Sequence, residues 1–225
     1  KKKPVLAFYP TGKEISNLKK IPIWKVRNSN GHYLSSLINN LPIIFKTQKI
    51  LRDNDQIIFK KEIKKHLKSN TNIIITSGAV SAGKFDFVPG IIKNFKLANS
   101  FKGVAIRPGK PILFSKFKNK NTAFFGLPGN PISSAACFRF FIFPFLFTSL
   151  NIKKEKPFKA KLKNVFIKKK NFTRFIKGKI SFSNKGLIEF EVLKGQESFR
   201  INSFTKANSW GFFPSGKSKF KKGQF

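Results

Sequence analysis

The sequence predicts an α/β fold in which a mostly parallel sheet is followed by a smaller all-β domain. Over the first 150 residues, short β-branched or apolar runs alternate with longer helical patterns, as in βαβ units. Around residues 151–157 the character changes, and short alternating runs separated by Gly, Asn and Lys follow. The 225-residue length accommodates one domain of about 150 residues and a smaller one. We therefore predict domains at residues 1–152 and 153–225.

The first domain opens with three predicted strands separated by two helices. The strands are residues 4–9, 43–51 and 72–75, and the helices are residues 28–41 and 55–68. Asn28 or Ser29 is expected to cap the first helix. In the second helix the residues expected to face the core are Ile57, Ile58, Ile63 and Leu67. The third strand reads "NIII" between turn formers, which is typical of a central, fully buried strand.

A further helix and three strands are predicted to complete this domain. The helix is residues 87–95, and the strands are residues 103–106, 112–117 and 123–125. The turn "GLPGNP" then leads into a long apolar stretch, residues 132–150. Arg139 near its middle and Pro144 disfavour a membrane span, so we expect a buried helix. In the second domain, runs such as "KGKISFS" and "LIEFEVL" predict strands, and no convincing helix is expected.

The composition bears on the class of partner. Lys and Arg number 46 against nine acids, a formal net charge of +37. The lysines are scattered and accompany many Asn, Ile and Phe, as expected of an AT-rich coding sequence, so we do not predict a nucleic-acid partner. A small anionic ligand fits the charge equally well. The single cysteine, Cys137, excludes an internal disulfide and favours the cytoplasm. The absence of Met and of a signal peptide predicts a cytoplasmic fragment.

Three glycine-bearing loops follow predicted strands. They are "TGKE" at residues 11–14, residues 77–86 within "ITSGAVSAGKFD", and residues 126–133. Backbone N–H groups in such loops can hold phosphate, and ligands of open α/β sheets bind at the carboxyl ends of strands. The alternative is that each glycine only permits a tight turn. Because three such loops share one predicted sheet edge, we favour a phosphate-binding site.

Three of the scarce acids could hold a cation at that edge. Glu14, Asp53 and Asp86 each lie just beyond a predicted strand, and carboxylates beside a phosphate site suit Mg²⁺. The alternatives are that Asp53 forms a turn and that Asp86 caps the following helix. His32 and His66 lack metal-ligand spacing, which disfavours a transition metal.

The motifs "AFYPTGKEI", "LRDN", "IITSGAVSAGKFDFV", "VAIRPGKPILF" and "FFGLPGNPISS" resemble, in order and spacing, the molybdopterin molybdotransferases, the MoeA and gephyrin E-domain family. The segment "GQESFRINSFTKANSWGFFPSG" is similar to that family's C-terminal β-barrel domain. The resemblance implies a three-layer, Mog/MoaB-like α/β domain, then a small β-barrel, with the family's N-terminal domains absent from this sequence. It also implies a homodimer.

The same resemblance implies an activity and a set of site residues. The family inserts molybdate into adenylylated molybdopterin, releasing AMP and yielding molybdenum cofactor, with Mg²⁺ assisting; a molybdopterin adenylyltransferase would act upstream. By motif, Glu14, Asp53 and Asp86 would position metal or molybdate. The substrate-binding residues would be Thr11, Gly12, Ser77, Gly78, Ser81, Gly83, Arg107, Lys110, Pro128, Gly129, Asn130, Pro131 and Ser133. The alternatives are a stand-alone Mog-type molybdopterin-binding or adenylylating domain, and an inactive scaffold.

Overall fold

A computed structural model describes residues 2–80, 86–153 and 155–225 of the chain. It confirms the predicted fold class, with alternating strands and helices followed by a region made mostly of strands. In chain order the elements are β1 (Val5–Pro10), β2 (Ile15–Ser16), β3 (Val26–Arg27), α1 (Ser29–Leu37), β4 (Ile44–Thr47), α2 (Gln56–Lys68), β5 (Thr71–Ser77), α3 (Val88–Lys93), β6 (Leu97–Lys102), β7 (Ile106–Arg107), β8 (Leu113–Phe117), β9 (Ala123–Leu127), α4 (Pro131–Cys137), a π-helical turn (Phe138–Ile142), α5 (Phe143–Ser149), β10 (Lys161–Leu162), β11 (Phe166–Ile167), β12 (Thr173–Phe182), β13 (Ile188–Val192), α6 (Ile201–Thr205), β14 (Ser209–Phe213) and β15 (Lys219–Phe220).

The chain divides by its contacts into two compact units. The first comprises Lys1–Val104 and Pro111–Phe138, and the second comprises Ala105–Lys110 and Arg139–Phe225. The short segment at residues 105–110 joins the second unit because β7 pairs with β12. The domain boundary between residues 152 and 153 stays a prediction.

The first unit is built on a six-stranded sheet in the order β4-β1-β5-β9-β8-β6. The first four strands are parallel, and β8 and β6 run antiparallel to their neighbours. The central strand β5 is buried along nearly its whole length, as its apolar sequence predicts. Pro10 pairs with Ser77, and Ser77 pairs with Leu127. The carboxyl ends of β1, β5 and β9 therefore lie side by side.

Helix α1 confirms one sequence prediction, and helix α2 corrects another. Asn28 caps α1, and its side-chain oxygen accepts a hydrogen bond from the Gly31 amide at 3.2 Å. In α2, however, Ile57 and Ile58 are 73% and 40% exposed, so the prediction that they face the core was wrong.

The rotation of α2 is set by a single large ring. Phe59 is fully buried and packs against the rings of Tyr9, Phe87 and Phe124 at centroid distances of 5.6–6.4 Å. Ile63, one turn later, is buried on the same face. The helical periodicity of the sequence favoured Ile57 and Ile58 as the buried residues. In the structure the Phe59 ring occupies the space beside the sheet, so the two isoleucines face outwards.

The sheet edge also differs from the prediction. The expected strand at residues 103–106 is replaced by β6, which ends at Lys102, and by β7, which begins at Ile106. Gly103, with a φ of +81°, separates the two. Most of β6 is exposed, and its sequence, "LANSFK", does not alternate apolar and polar residues, which is why it lacks a strand pattern.

The predicted buried helix is present after "GLPGNP". Every residue of α4 from Ile132 to Cys137 is buried. Among the described residues, Pro131–Ser149 is the one helix whose length and composition would allow it to cross a membrane, and half of that stretch is buried inside the protein. A core helix passes the same test, and the burial of α4 supports that interpretation.

The second unit contains a five-stranded sheet in the order β10-β13-β12-β14, with β7 paired to β12, and a separate β11–β15 pair. Its core consists of Leu162, Ile176, Phe190, Val192, Phe213 and Phe220. The expectation that this region lacks a helix was wrong, because α6 covers Ile201–Thr205. The helix is one turn long and has no buried residue, so it leaves no apolar periodicity in the sequence.

Candidate functional site

The carboxyl ends of β1, β5 and β9 bring together three of the predicted loops. The Thr11 amide and hydroxyl both donate to the Ser77 carbonyl, at 3.0 and 2.8 Å. The Gly78 amide donates to the Leu127 carbonyl at 2.8 Å, immediately before Pro128. Hydrogen bonding between neighbouring strands thus continues to Thr11 after β1 and to Gly78 after β5. The three loops therefore begin next to one another.

Close backbone approach explains two of the glycines at this edge. Gly78 has a φ of +105°, and a Cβ there would lie 2.5 Å from the Thr11 hydroxyl oxygen. A Cβ on Gly129 would lie 3.5 Å from the Gly78 Cα, so these two loops are in contact. Any larger residue at position 78 would push the loop that contains Thr11 away from the loop that follows β5. Ser81 and Gly83, also predicted for this site, lie outside the described residues.

Asn30 links the same loops, although it was not among the predicted site residues. Its side-chain amide donates to the Ser77 hydroxyl oxygen at 2.5 Å and to the Gly129 carbonyl at 3.0 Å. Asn30 lies in the first turn of α1, two residues after the cap Asn28. The run "NSN" at residues 28–30 is typical of a helix cap and does not by itself indicate a contact between distant loops.

The loop before α4 is fixed by its own side chains. The Asn130 side-chain oxygen accepts hydrogen bonds from the amides of Ile132 and Ser133, at 3.1 and 3.4 Å. Pro131 occupies the first turn, as predicted. The two hydrogen bonds from the amides of Ile132 and Ser133 to Asn130 rigidify the loop. A ligand would contact Gly129 and Asn130, which are less buried than Pro128.

Two of the three predicted carboxylates share a cavity. Asp53 and Asp86 line a space of about 550 Å³, whose other lining residues are Asn54, Gln56, Phe87, Gly90, Ile91 and Asn94. Glu14 does not line this cavity. Its carboxylate oxygens lie 2.5 and 2.6 Å from where a Cβ on Gly12 would be, so the side chain folds over the first loop. Within the described residues no group of three or more His, Cys, Asp or Glu side chains is arranged to hold a metal ion.

The donor set of this cavity nevertheless fits Mg²⁺. Mg²⁺ usually binds proteins through one or two carboxylates and keeps several waters or substrate phosphate oxygens. Asp53 and Asp86 supply two carboxylates, and the side-chain amides of Asn54 and Gln56 supply further oxygens. Neither sulfur nor imidazole lines the cavity, which suits a hard cation.

The two predicted cationic residues belong to the second unit. The Arg107 guanidinium lies 4.6 Å, and the Lys110 ammonium 5.8 Å, from the centroid of the Phe172 ring. Arg174 is the register partner of Arg107 on the neighbouring strand. Burial, and then the charge of Arg107, lowers the pKa of Arg174. Its Nε is buried without a hydrogen-bond partner. Neither Phe172 nor Arg174 was among the predicted site residues.

A separate polar cluster surrounds the hydroxyl of Tyr9. This oxygen lies 2.7 Å from His66 Nε2 and donates to Glu62 at 3.1 Å, while His66 Nδ1 lies 2.9 Å from the Thr71 hydroxyl. Burial, more than the nearby Glu62, raises the pKa of Tyr9, and burial lowers the pKa of His66. Because Tyr9 is fully buried, the cluster holds α2 against the sheet and does not meet a substrate.

The structure also describes the surroundings of Cys137, His32 and Asp55. Cys137 is fully buried, and burial raises the pKa of its thiol, so it is an inert core residue. His32 is exposed on α1. Asp55 precedes α2, but its carboxylate accepts from the Arg52 amide at 2.9 Å instead of from the helix.

The chain is similar in sequence to proteins of molybdopterin metabolism. Residues 7–148 match the family described as "Probable molybdopterin binding domain", and residues 159–224 match the "MoeA C-terminal region (domain IV)". The chain is 33% identical over 229 residues to a molybdopterin molybdenumtransferase of Staphylococcus aureus (strain COL), covering 99% of this chain and 52% of the relative. It is 28% identical over 226 residues to one of Synechocystis sp. (strain ATCC 27184 / PCC 6803 / Kazusa), covering 100% and 55%.

A solved structure shares the fold. The molybdopterin biosynthesis MoeA protein from Pyrococcus horikosii superposes with a TM-score of 0.74 at 25% identity, covering 98% of this chain and 52% of that one. The chain therefore spans about half the length of the relatives that it matches.

Proposed function

Because the chain belongs to the molybdopterin-binding family and also carries the MoeA C-terminal region, we propose that it acts as a molybdopterin molybdotransferase. The reaction inserts molybdate into adenylylated molybdopterin and releases AMP, giving molybdenum cofactor. The observation that carries the proposal is the meeting of three glycine-bearing loops at the carboxyl ends of β1, β5 and β9, with Asn30 joining two of them. This is the location where open α/β sheets bind phosphorylated ligands.

The loops would hold the substrate's phosphates by their backbone. Thr11, Gly12, Ser77 and Gly78 would form one side. Ser81 and Gly83, which lie outside the described residues, are proposed for the same binding role. Pro128, Gly129, Asn130, Pro131 and Ser133 would form the facing side. The close contact between Gly78 and Gly129 supports this division, because backbone groups there can approach a ligand without side chains between them.

Two cations of the second unit, Arg107 and Lys110, are proposed to contact anionic groups of the substrate. Arg107 and Lys110 are exposed and lie against Phe172, which limits the freedom of both side chains. Arg107 also has Arg174 beside it in register. Two adjacent guanidinium groups repel each other unless an anion lies near them. Molybdate and the phosphates of the substrate are both anions of the required kind.

Mg²⁺ would bind at the cavity that Asp53 and Asp86 line. When bound, it would neutralise phosphate charge as the anhydride to AMP is broken. The carboxylates would bind and orient the ion, and Asn54 and Gln56 would bracket them. Glu14 lies against Gly12, at the base of the first loop, and would position that loop and the incoming oxyanion.

We further propose a cytoplasmic homodimer that receives its substrate from a molybdopterin adenylyltransferase. Support for a protein interface comes from the segment between β2 and β3, where Leu18, Ile23 and Trp24 are 63%, 104% and 63% exposed. Apolar side chains so exposed within a few residues are typical of a surface that another chain covers. Sedimentation of the wild-type chain and of the Ile23→Ser, Trp24→Ser double variant would test the dimer.

The activity is tested by incubating the purified chain with adenylylated molybdopterin and molybdate, with and without Mg²⁺. We expect AMP release that depends on molybdate and Mg²⁺. Binding is measured in parallel by calorimetry at two salt concentrations. Saturable binding that persists at moderate salt supports the site, whereas binding that vanishes with salt would show only a general attraction to the +37 charge.

A further inference from the structure

Helix α2, which is described along its whole length, exposes a strongly basic face. Its exposed residues, which we call the basic face, are Gln56, Ile57, Ile58, Lys60, Lys61, Lys64, Lys65 and Lys68. Five of them are lysines, and none is acidic. None of the five lysines was assigned above to molybdopterin, molybdate or Mg²⁺. These lysines therefore have no part in the proposed reaction.

The buried side of α2 determines where the lysines point. Phe59 and Ile63 pack into the core beside the main sheet. A helix turns by about 100° per residue, so the line opposite these two residues carries positions spaced by four, three and four. These positions, which we call the outer stripe, are Ile57, Lys61, Lys64 and Lys68. At 1.5 Å per residue the stripe is about 17 Å long.

The carboxylates near α2 leave this charge uncompensated. Glu62, the single acid of the helix, accepts from the Tyr9 hydroxyl at 3.1 Å and lies 3.8 Å from the Lys49 ammonium. Asp55, just before the helix, accepts from the Arg52 amide. Within the described parts of the chain, no ion pair includes a lysine of α2. The ammonium groups of the basic face are therefore available to an anionic partner.

The same face also carries exposed apolar side chains. Ile57 and Ile58, in the first turn of α2, are 73% and 40% exposed. Phe59, the only Phe, Tyr or Trp of the helix, is buried. Proteins bind single-stranded nucleic acids by stacking the bases on exposed aromatic rings, which this face lacks. Anionic phospholipid surfaces instead attract clusters of about four to eight basic residues and accept apolar side chains between their headgroups.

We propose that the basic face of α2 docks the protein on an anionic phospholipid membrane. The lysines would contact lipid phosphates, and Ile57 would insert between the headgroups. Because the outer stripe runs along one side of a helix, a flat surface can contact all four of its residues at once. A symmetric contact between two copies is disfavoured, because the same five lysines would face one another. The docking is peripheral and requires no membrane-spanning segment.

Vesicle flotation of the full chain measures the docking. One set of vesicles is phosphatidylglycerol mixed with phosphatidylcholine, and the other is phosphatidylcholine alone. We expect binding to the anionic vesicles only, and we expect it to weaken as salt is raised, because salt screens the attraction. Equal binding to both kinds of vesicle, or binding to neither, would overturn the proposal.

Matched variants separate the basic face from the general charge of the chain, which is +37. The triple change Lys61→Gln, Lys64→Gln, Lys68→Gln should weaken binding to anionic vesicles at least about tenfold, since each lysine near the surface contributes. The control Lys159→Gln, Lys185→Gln, Lys206→Gln removes the same charge from exposed positions of the second unit. It should weaken binding less than about twofold. Equal losses in the two triples would show that α2 is not the docking face.

The apolar part of the face has its own matched pair. Ile57→Asn is compared with Ile167→Asn, because Ile167 lies in the second unit and is 69% exposed. We expect Ile57→Asn to weaken vesicle binding about fivefold and Ile167→Asn to leave it unchanged, since only Ile57 would leave water in the docked protein. Equal effects would contradict the insertion of Ile57.

Binding of oligouridylate distinguishes a membrane from a nucleic acid. It is measured on the wild-type chain and on the triple variant of α2. If the triple variant loses oligouridylate binding and retains vesicle binding, the basic face binds nucleic acid and the proposal is wrong. Thermal unfolding of each variant verifies that it folds.

Discussion

Asn30 and Ser77 lie 47 residues apart in the chain, yet the Asn30 side-chain amide donates to the Ser77 hydroxyl oxygen at 2.5 Å. The same amide donates to the Gly129 carbonyl at 3.0 Å, across 99 residues. One side chain on α1 therefore sets the separation of the loops that follow β5 and β9. In the proposed reaction these loops face each other across the substrate's phosphates.

Replacing Asn30 by Ala should weaken substrate binding more than it weakens the fold. Two hydrogen bonds are lost, worth about 1–2 kcal/mol in total. Because the loops would no longer be held at a fixed separation, the affinity for adenylylated molybdopterin should fall about tenfold. Calorimetry measures the affinity, and denaturant unfolding measures the stability. Asn39→Ala, an exposed asparagine just after α1, is the control; equal affinities in the two variants would contradict the prediction.

The carboxylates of Asp53 and Asp86 should determine the Mg²⁺ dependence. Asp53→Asn or Asp86→Asn should raise the Mg²⁺ concentration required for half-maximal AMP release about tenfold or more, since carboxylate charge sets affinity for the ion. Glu14→Gln should lower the rate without shifting this concentration, because Glu14 lies outside the shared cavity. Glu191→Gln, an exposed acid of the second unit, should change neither. A shift in Glu14→Gln equal to that of the aspartates would place Glu14 at the ion instead.

Gly78→Ala should destabilise the chain through both backbone strain and a clash. The comparison is Gly186→Ala, which also has a positive φ, of +72°, but has no atom within 4 Å of the added Cβ. We expect a loss of about 1 kcal/mol for Gly186→Ala from the backbone alone. Gly78→Ala should lose about 1–3 kcal/mol more, because the Cβ would meet Thr11. Denaturant unfolding gives both values, and similar losses would mean that the Thr11 loop moves aside freely.

His66 should make the stability of the chain depend on pH below about 6.5. Burial lowers the pKa of His66 in the folded protein, with Lys65 acting in the same direction and Glu62 opposing it. The unfolded chain therefore binds the proton more readily, and the stabilisation present above pH 6.5 is lost as the pH falls towards the folded pKa.

The test compares the two histidines of the sequence. In His66→Gln the slope of stability against pH between about 5 and 7 should become shallower than in the wild type. His32→Gln, on the exposed side of α1, should retain the wild-type slope. The free energy of unfolding is measured at each pH. A wild-type slope in His66→Gln would show that the Tyr9 cluster does not couple to protonation.

Lys177→Met should strongly destabilise the second unit. The Lys177 side chain is 1% exposed, and its ammonium donates to the carbonyls of Gly195, Glu197 and Arg200 at 2.8–3.2 Å. Methionine fills a similar volume but removes three hydrogen bonds from a charged donor, which costs about 3 kcal/mol or more in total, although the Ser203 hydroxyl and the Arg200 amide still donate to these carbonyls. Lys179→Met, an exposed neighbour on β12, should change stability by less than about 0.5 kcal/mol. Equal unfolding midpoints for the two variants would show that residues 195–200 reach water when the ammonium is removed.

Much of the first unit could be predicted from the sequence because its signals are local. The apolar run of β5, the cap at Asn28 and the turn before α4 each involve residues that are neighbours in the chain. The prediction failed for α2, where Ile57 and Phe59 competed for the buried face. It also failed for β6, whose exposed residues carry no strand pattern.

The sequence by itself determined the alternation of the main strands and helices of the first unit, the change from α/β to mostly β structure, and the loops in which ligand-binding residues would lie. These follow from local periodicity and turn chemistry. Only the tertiary structure decided that Asn30 joins two loops and that Asp53 and Asp86 share a cavity while Glu14 lies over Gly12. The physical reason is that such pairs are set by strand register and by the packing of large side chains, which act between residues far apart in the chain.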